Sequence, residues 1–251
     1  MPAAATLQVR QIMQAGKPLS YWIFVPPQPA QSPRPMLLVL PDDQDTAYDF
    51  LRTGDFMTDA TARGYIVVAP DTGGVTGPGI ISDIATAVSA SLAVDESRVL
   101  IAGQGRGGEI ALNLIRSHAH PFAAGAFMAP STEAPPAEVP AEAPARAIPL
   151  MLTYGEANAG NLANARQWAS RLGCGMSLQA RNEFVEQVGF YGCRNGAEVI
   201  YQTIEGLAGW TGRVVSNATG RAGSVSLTTL AWQFFDRTAP GDSSQGSNRR
   251  P

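Results

Sequence analysis

The sequence predicts one α/β domain in which helices cover both faces of a mostly parallel sheet. Two observations lead to this fold class. Short apolar runs rich in β-branched residues alternate along the chain with longer segments of helical periodicity. The chain also has 251 residues, of which 45% are hydrophobic, and this supplies enough apolar surface for one sizeable core. We therefore expect a single domain over residues 1–238.

Seven segments are predicted to form the strands of the sheet. Each is a short run of mainly apolar residues bounded by glycine, proline or a polar residue. The predicted strands are Ser20–Val25, Met36–Leu40, Tyr65–Ala69, Arg98–Ala102, Ala123–Met128, Pro149–Thr153 and Glu198–Ile204.

Five segments between these strands are predicted to be helices, because their apolar residues recur every three or four positions. A repeated order of strand, helix and strand is typical of parallel strands that are joined by helical crossovers. The predicted helices are Phe56–Arg63, Ile81–Leu92, Gly108–Ser117, Leu162–Leu172 and Ser226–Arg237.

Two segments are predicted to lie outside this core. Pro130–Pro149 is rich in proline, alanine and glutamate, and its prolines would interrupt a helix, so we expect a surface loop. Residues 239–251 are polar and rich in glycine and serine, and we expect a disordered tail.

Charge and hydropathy exclude several classes of partner. The formal net charge is −3, and basic residues do not cluster beyond Arg249–Arg250, so no nucleic-acid partner is predicted. No run approaches the ~18–20 apolar residues of a membrane helix, and no signal peptide is recognisable, so no membrane partner is predicted. A mature chain without its leader would look the same, which leaves the compartment open.

The segment from Arg98 to Gly108 has the layout of a nucleophile elbow that lacks its nucleophile. An apolar strand runs into closely spaced glycines and then into a helical segment, as the motif G-x-S-x-G requires. Gly103 and Gly107 fit the flanking positions, but the central residue is Gly105. Glycine tolerates the strained turn, yet it has no group that can attack an acyl carbon.

Further segments with recognisable motifs follow one another between residues 18 and 237. They are Pro35–Leu40, Tyr48–Phe50, Gly64–Pro70, Val94–Gly103, Trp168, Gly173–Cys174, Tyr191–Cys193, Gly196–Val199, Ile204–Gly206 and Trp210–Gly212. With the elbow, this ordered series resembles the α/β-hydrolase branch that contains feruloyl esterases, acetyl xylan esterases and polyhydroxybutyrate depolymerases. The resemblance implies the α/β-hydrolase fold and, in active members, a Ser-His-Asp triad that hydrolyses carboxylic esters.

The resemblance places the catalytic residues at positions that have lost them. The serine falls at Gly105, and the acid falls at Asn158, whose neutral amide cannot stabilise an imidazolium as a carboxylate does. The histidine falls at Gly209, in a segment Gly206–Gly212 that is one residue short. The His-Gly of the oxyanion strand is replaced by Pro41–Asp42, and an acidic side chain there would repel a developing oxyanion.

No nearby residue replaces the missing triad. Ser97 precedes the elbow strand, and Ser117 ends the helix that follows it. The only histidines are His118 and His120, and at ~1.5 Å per residue the first lies roughly 20 Å from Gly105. Their spacing without a further metal ligand favours ordinary histidines at a helix end over a metal site.

Two other patterns near the elbow are considered as a cation site and as a phosphate-binding loop. Asp42, Asp43 and Asp45 form an acidic group that suits either a cation or, more simply, a solvated loop. The glycine-rich segment Gly103–Gly108 lacks the Lys-Ser/Thr of a phosphate-binding loop. We therefore predict no metal and no cofactor.

A pocket could persist beside the degenerate positions. We expect a ligand there to contact Gln104, Arg106, Tyr154 and Trp210, with Asp42 at the entrance, because these residues flank the lost triad. The backbone amide of Arg106 would attract an anion, whereas its side chain either turns inward to a carboxylate or is simply solvated.

The two cysteines, Cys174 and Cys193, are 19 positions apart and either form a disulfide or remain as two thiols. Together with the family resemblance, a disulfide would favour an extracellular or periplasmic location.

The sequence leaves three functions open. The first is a catalytically inactive esterase-like protein that binds an unidentified small ligand or protein partner. The second is a divergent carboxylic-ester hydrolase with a non-standard catalytic set drawn from Asp42, Asp43, Glu156 and Tyr154. The third is a structural component of an assembly.

Overall fold

A computed structural model describes most of the chain, and secondary structure and contacts are given for these residues alone. The described ranges are 4–14, 16–27, 33–71, 78–116, 121–130, 147–155, 159–207, 209–210, 214–216 and 222–239. The predicted loop at 130–149 and the predicted tail at 239–251 lie mostly outside them. In the described part of the chain, no helix has both the length and the apolarity that crossing a membrane requires.

The centre of the molecule is a sheet of ten strands in the order β1-β2-β4-β3-β5-β6-β7-β10-β9-β8. The six strands from β4 to β10 in this order are parallel, and two antiparallel strands extend the sheet at each end. The strands are β1 (Thr6–Gln14), β2 (Lys17–Val25), β3 (Arg34–Leu40), β4 (Ile66–Pro70), β5 (Val94–Gln104), β6 (Ala124–Met128), β7 (Leu150–Tyr154), β8 (Met176–Arg181), β9 (Val185–Tyr191) and β10 (Val199–Ile204), with a separate short pair, β11 (Val214–Ser216) and β12 (Ala222–Ser224).

Helices cover both faces of this sheet. The helices are α1 (Ala47–Thr53), α2 (Phe56–Arg63), α3 (Pro78–Ser91), α4 (Gly105–Arg116), α5 (Ala159–Leu172) and α6 (Leu227–Thr238). Residues of α3, α4 and α5 are buried against one face, and residues of α1, α2 and α6 against the other. Neighbouring residues such as Leu37 and Leu38 of β3 belong to different faces, because side chains alternate along a strand.

The predicted fold class is confirmed, and each of the seven strands and five helices predicted from the sequence has its counterpart. Three strands of the large sheet (β1, β8 and β9), the short pair β11 and β12, and helix α1 were not predicted. Strand β1 mixes polar and apolar residues, and β8 is exposed along its whole length, so neither shows an apolar run. Helix α1 has only seven residues and begins after Thr46, whose hydroxyl accepts a hydrogen bond from the Asp49 amide at 3.0 Å.

The hairpin formed by β8 and β9 is held at its base by a disulfide between Cys174 and Cys193. The Gly175 amide also donates to the Tyr191 carbonyl at 3.1 Å. A hairpin at the edge of a sheet has few tertiary contacts to stabilise it. The disulfide therefore ties the end of α5 to the strand pair beyond it.

We predict that replacing both cysteines, Cys174→Ser with Cys193→Ser, lowers the free energy of unfolding by about 3 kcal/mol, because the crosslink closes a loop of this length. Chemical denaturation of the oxidised protein and of the double variant measures the difference. The reduced wild-type protein serves as the control and should match the double variant. Equal stability of oxidised protein and double variant would contradict the prediction.

Candidate functional site

The predicted elbow is formed where β5 passes into α4. The strand ends at Gln104, and the helix begins at Gly105, three residues earlier than expected. Gly105 has φ of +48°, a left-handed conformation that side-chain-bearing residues rarely adopt. The turn thus keeps the backbone strain that is typical of an elbow, at the residue where glycine relieves it.

The two flanking glycines are required by packing. A β-carbon on Gly103 would lie 2.8 Å from the amide nitrogen of Gly108, and one on Gly107 would lie 2.7 Å from the carbonyl carbon of Leu40. Helix α4 can therefore start close to β5 and to the end of β3 only with glycine at both positions. This requirement is independent of any nucleophile, which explains how the motif keeps its outer glycines without a central serine.

The space for a nucleophilic side chain is filled by the carboxylate of Asp42. A β-carbon on Gly105 would lie only 2.5 Å from the carboxyl carbon of Asp42. The Arg106 amide donates to Asp42 Oδ1 at 3.0 Å, and the Asp43 amide donates to the same oxygen at 2.9 Å. In an active hydrolase, the amide after the nucleophile contributes to the oxyanion hole. Here an internal anion engages that amide at the positive end of α4.

Gln104 links the two loops that border the elbow. Its Oε1 accepts a hydrogen bond from the Trp210 amide at 2.7 Å, and its Nε2 donates to Asp45 Oδ2 at 3.5 Å. A β-carbon on Gly209 would lie 3.8 Å from both terminal atoms of Gln104. The amide of Gln104 therefore lies beside the position predicted for the catalytic histidine.

The pKa of Asp45 is raised by its position near the elbow. Burial raises the pKa of Asp45, and the negative charges of Asp42 and Asp49 raise it further. The Asp45 amide also donates to the Asp42 carbonyl at 3.0 Å, which closes a turn after β3. The loop after β3 therefore holds the carboxyl groups of Asp42, Asp45 and Asp49 near one another although their negative charges repel.

Trp210 is buried among aromatic side chains. Its ring centre lies 6.0 Å from that of Phe50 and 5.4 Å from that of Phe56. Its indole Nε1 donates to Thr228 Oγ1 at 2.8 Å, and Thr228 in turn donates to the Gly54 carbonyl. With 2% of its surface exposed, Trp210 anchors the loop after β10 instead of presenting a face to a ligand.

The side chains of Arg106 and Tyr154, which were predicted to line the pocket with Gln104, are not brought to the elbow. The Arg106 guanidinium is exposed and pairs with Glu109 on its own helix at 2.7 Å. Tyr154 is buried on the face covered by α5, where its ring lies 5.8 Å from that of Tyr201. Burial raises the pKa of Tyr154 to about 12.

The structure therefore joins Asp42, Gln104, Gly105 and Gly209 at one place, together with the backbone amide of Arg106. The other predicted candidates, Asn158, Glu156, His118 and His120, lie outside the described residues. Within the described part of the chain, no group of three or more histidine, cysteine, aspartate or glutamate side chains could hold a metal ion.

Sequence reasoning placed Asp42 at the oxyanion entrance, but it missed the contacts of the carboxylate with the elbow. It also missed Asp45 as the partner of Gln104. The acidic residues directly after β3 were the available signal, because the carboxyl ends of neighbouring parallel strands lie at the same edge.

We predict that Asp42→Ala lowers the free energy of unfolding by about 1 kcal/mol, because the Arg106 amide loses its acceptor at the start of α4. Asp42→Asn should lose less, because its carboxamide oxygen still accepts both amides. Thermal or chemical unfolding of the two variants measures the difference. Equal losses for alanine and asparagine would show that hydrogen bonding by this side chain does not stabilise the helix start.

We predict that Asp45→Asn stabilises the protein near pH 7, by less than about 1 kcal/mol. The pKa of Asp45 is raised in the folded protein, so the ionised carboxylate opposes folding and stability falls as pH rises through that pKa. The gain should vanish below the ordinary pKa of 3.8, where both states bind the proton. Unfolding curves from pH 3 to 7 test this, with the exposed neighbour in Asp43→Asn as the control. A gain that persists at pH 3 would contradict it.

No protein-family profile and no curated protein matches this chain. Solved structures do match. The acetyl xylan esterase from Aspergillus awamori superposes with a TM-score of 0.63 at 13% identity, over 80% of this chain and 93% of that chain. A structure named m3DLH superposes with a TM-score of 0.61 at 15% identity, over 95% of this chain and all of that chain.

A ferulic acid esterase is matched at 20% identity with a TM-score of 0.45, and this chain spans only 60% of its length. The fold assignment therefore depends on the two larger superpositions. These two superpositions cover 80% and 95% of this chain. The chain has the α/β-hydrolase fold.

Proposed function

We propose that this protein is a catalytically inactive α/β-hydrolase homologue that acts by binding a ligand or a protein partner. The observation that carries the proposal is the Asp42 carboxylate beside Gly105, hydrogen-bonded to the Arg106 amide. The loss of a serine alone would leave an empty space at the elbow. In this chain an acidic side chain fills that space.

Two features of the elbow argue against nucleophilic catalysis. Gly105 has no group that can form an acyl intermediate. A developing oxyanion near the Arg106 amide would meet a carboxylate already bound there, and like charges at this distance repel. A restored serine would have to push the Asp42 carboxylate aside, because its β-carbon would lie 2.5 Å from the carboxyl carbon, and the displaced charge would stay beside the oxyanion position.

The residues around Gly209 include no side chain that could act as the general base of a triad. The neighbouring side chain is the carboxamide of Gln104, which binds the Trp210 amide and does not accept a proton at neutral pH. Ester hydrolysis by the triad mechanism requires an imidazole at this point.

The position of Asp42 also favours one alternative. Oδ1 is occupied by two amide donors, whereas Oδ2 has no hydrogen-bond donor among the described residues and could attack an ester as a carboxylate nucleophile. In a divergent carboxylic-ester hydrolase, the Asp42 oxygen would then bond to the acyl carbon while the ester C–O bond breaks and the alkoxide takes a proton from water. A water molecule would cleave the mixed anhydride, which releases the carboxylic acid and restores Asp42. Asp43 and Tyr154 are weaker candidates for the nucleophile than Asp42. Asp43 is exposed, and Tyr154 is buried against α5.

The test compares hydrolysis of p-nitrophenyl acetate and methyl ferulate by three proteins. We expect the wild type to match its heat-denatured control. We expect no gain from the triple variant Gly105→Ser, Asn158→Asp, Gly209→His, because Asp42 still occupies the elbow. Adding Asp42→Gly to this triple variant should give measurable turnover that a serine-directed phosphonate abolishes.

Robust turnover by the wild type would overturn the proposal. If Asp42→Asn abolished that turnover while the fold stayed intact, the carboxylate-nucleophile alternative would be supported. A structural role in an assembly remains a further prediction, and light scattering on the native complex would test it.

A further inference from the structure

A cavity of about 560 Å³ lies between the start of α5 and the edge of the sheet formed by β8, β9 and β10. Small-molecule sites in proteins typically have volumes of ~300–1,000 Å³, so this cavity is large enough for a ligand. Strands β6 and β7 separate β5 from β10 in the sheet. At ~4.8 Å per strand, β10 lies roughly 14 Å from β5, and β9 and β8 lie further away. The cavity is therefore separate from the elbow.

One row of side chains on the floor of the cavity carries two opposite charges. In the strand register, Glu186 of β9 pairs with Thr203 of β10 on one side and with Arg181 of β8 on the other. Arg181 Nη1 lies 3.2 Å from Glu186 Oε1. Among the described residues that line the cavity, these two have the only charged side chains. The row thus presents one guanidinium beside one carboxylate.

A second, mainly apolar row lies two residues away along the strands, at a distance of about 7 Å. Here Val188 of β9 pairs with Tyr201 of β10 and with Gln179 of β8. Tyr201 belongs to the core on the face of α5, and Val188 and Leu162 of α5 pack against this core. Residues two apart on a strand point to the same face, so the charged row also faces α5.

The two charges at the cavity are accessible to a ligand. The side chains of Arg181 and Glu186 are 74% and 53% exposed, so their ion pair contributes less than about 1 kcal/mol. A ligand can therefore replace either partner at a small cost. A purely anionic ligand would be attracted by Arg181 but repelled by Glu186, and a purely cationic ligand would meet the reverse. A ligand that carries both charges close together matches both side chains.

We propose that this cavity binds a free α-amino acid with a large apolar side chain. The carboxylate of the ligand accepts hydrogen bonds from the Arg181 guanidinium, whose planar fork suits two carboxylate oxygens. The ammonium group of the ligand donates to Glu186. The side chain of the ligand extends from the charged row to Val188 and Tyr201, beneath Leu162, where burial of apolar surface stabilises it.

The experiment is calorimetric titration of the full-length protein with L-phenylalanine and with L-leucine at pH 7.5. We expect saturable binding of one amino acid per chain. Phenethylamine lacks the carboxylate, 3-phenylpropanoate lacks the ammonium group, and glycine lacks the side chain. Each of these three compounds should bind at least about tenfold more weakly than L-phenylalanine, a loss of about 1.4 kcal/mol.

Arg181→Gln should weaken the binding of L-phenylalanine by at least about tenfold without weakening that of phenethylamine, because only the carboxylate contacts this residue. The hairpin keeps its disulfide and its other strand pairs, so we expect the variant to fold.

Arg52→Gln is the matched control. It breaks another exposed ion pair, with Asp49 on α1, whose two side chains are 58% and 54% exposed. Helix α1 contributes none of the described residues that line the cavity. The affinity of this variant for L-phenylalanine should stay within about twofold of the wild type, because solvent and salt screen remote charges.

Three results would overturn the proposal. They are absence of saturable binding of both amino acids, binding of phenethylamine or 3-phenylpropanoate as tight as that of L-phenylalanine, and equal losses of affinity in Arg181→Gln and Arg52→Gln. The titrations do not depend on ester hydrolysis, so turnover by the wild type would leave the result unaffected.

Discussion

The short contact between Asp42 and the first turn of α4 is the constraint on which the arrangement of the elbow depends. One carboxylate oxygen binds the Arg106 amide, and the carboxyl group lies where a side chain at position 105 would project. Glycine at this position and aspartate after β3 are therefore complementary, because any larger residue at position 105 would displace the carboxylate. The negative charge is favourable at a helix start, which gives the acidic side chain a structural role at the beginning of α4.

Hydrogen bonds also connect the loops on either side of the elbow. Gln104 connects the loop after β3 to the loop after β10 through Asp45 and the Trp210 amide. The Trp210 ring then packs on Phe50 and Phe56, within the core on the face of α1, α2 and α6. Gly105 and Gly209 thus lie in loops that are held by hydrogen bonds and aromatic packing.

The fold holds several acidic residues close together after β3. Asp42, Asp43 and Asp45 gather after β3 at the carboxyl edge, and burial with neighbouring charges raises the pKa of Asp45. At the end of α4, burial and then the positive charge of Arg171 lower the pKa of Arg116.

The sequence by itself determined the fold class, the parallel core strands and the glycine-rich turn between β5 and α4, because apolar periodicity and closely spaced glycines are local signals. It left the pairing of Cys174 with Cys193 open, and it did not reveal the exposed strands β1 and β8, which lack an apolar run. Only the tertiary structure decided that Asp42 lies at the elbow and that Tyr154 is buried beside Tyr201. Asp42 and Arg106 are 64 residues apart in sequence, and their contact arises because neighbouring parallel strands end at one edge of the sheet. Such a contact depends on strand order and side-chain direction, which no local pattern specifies.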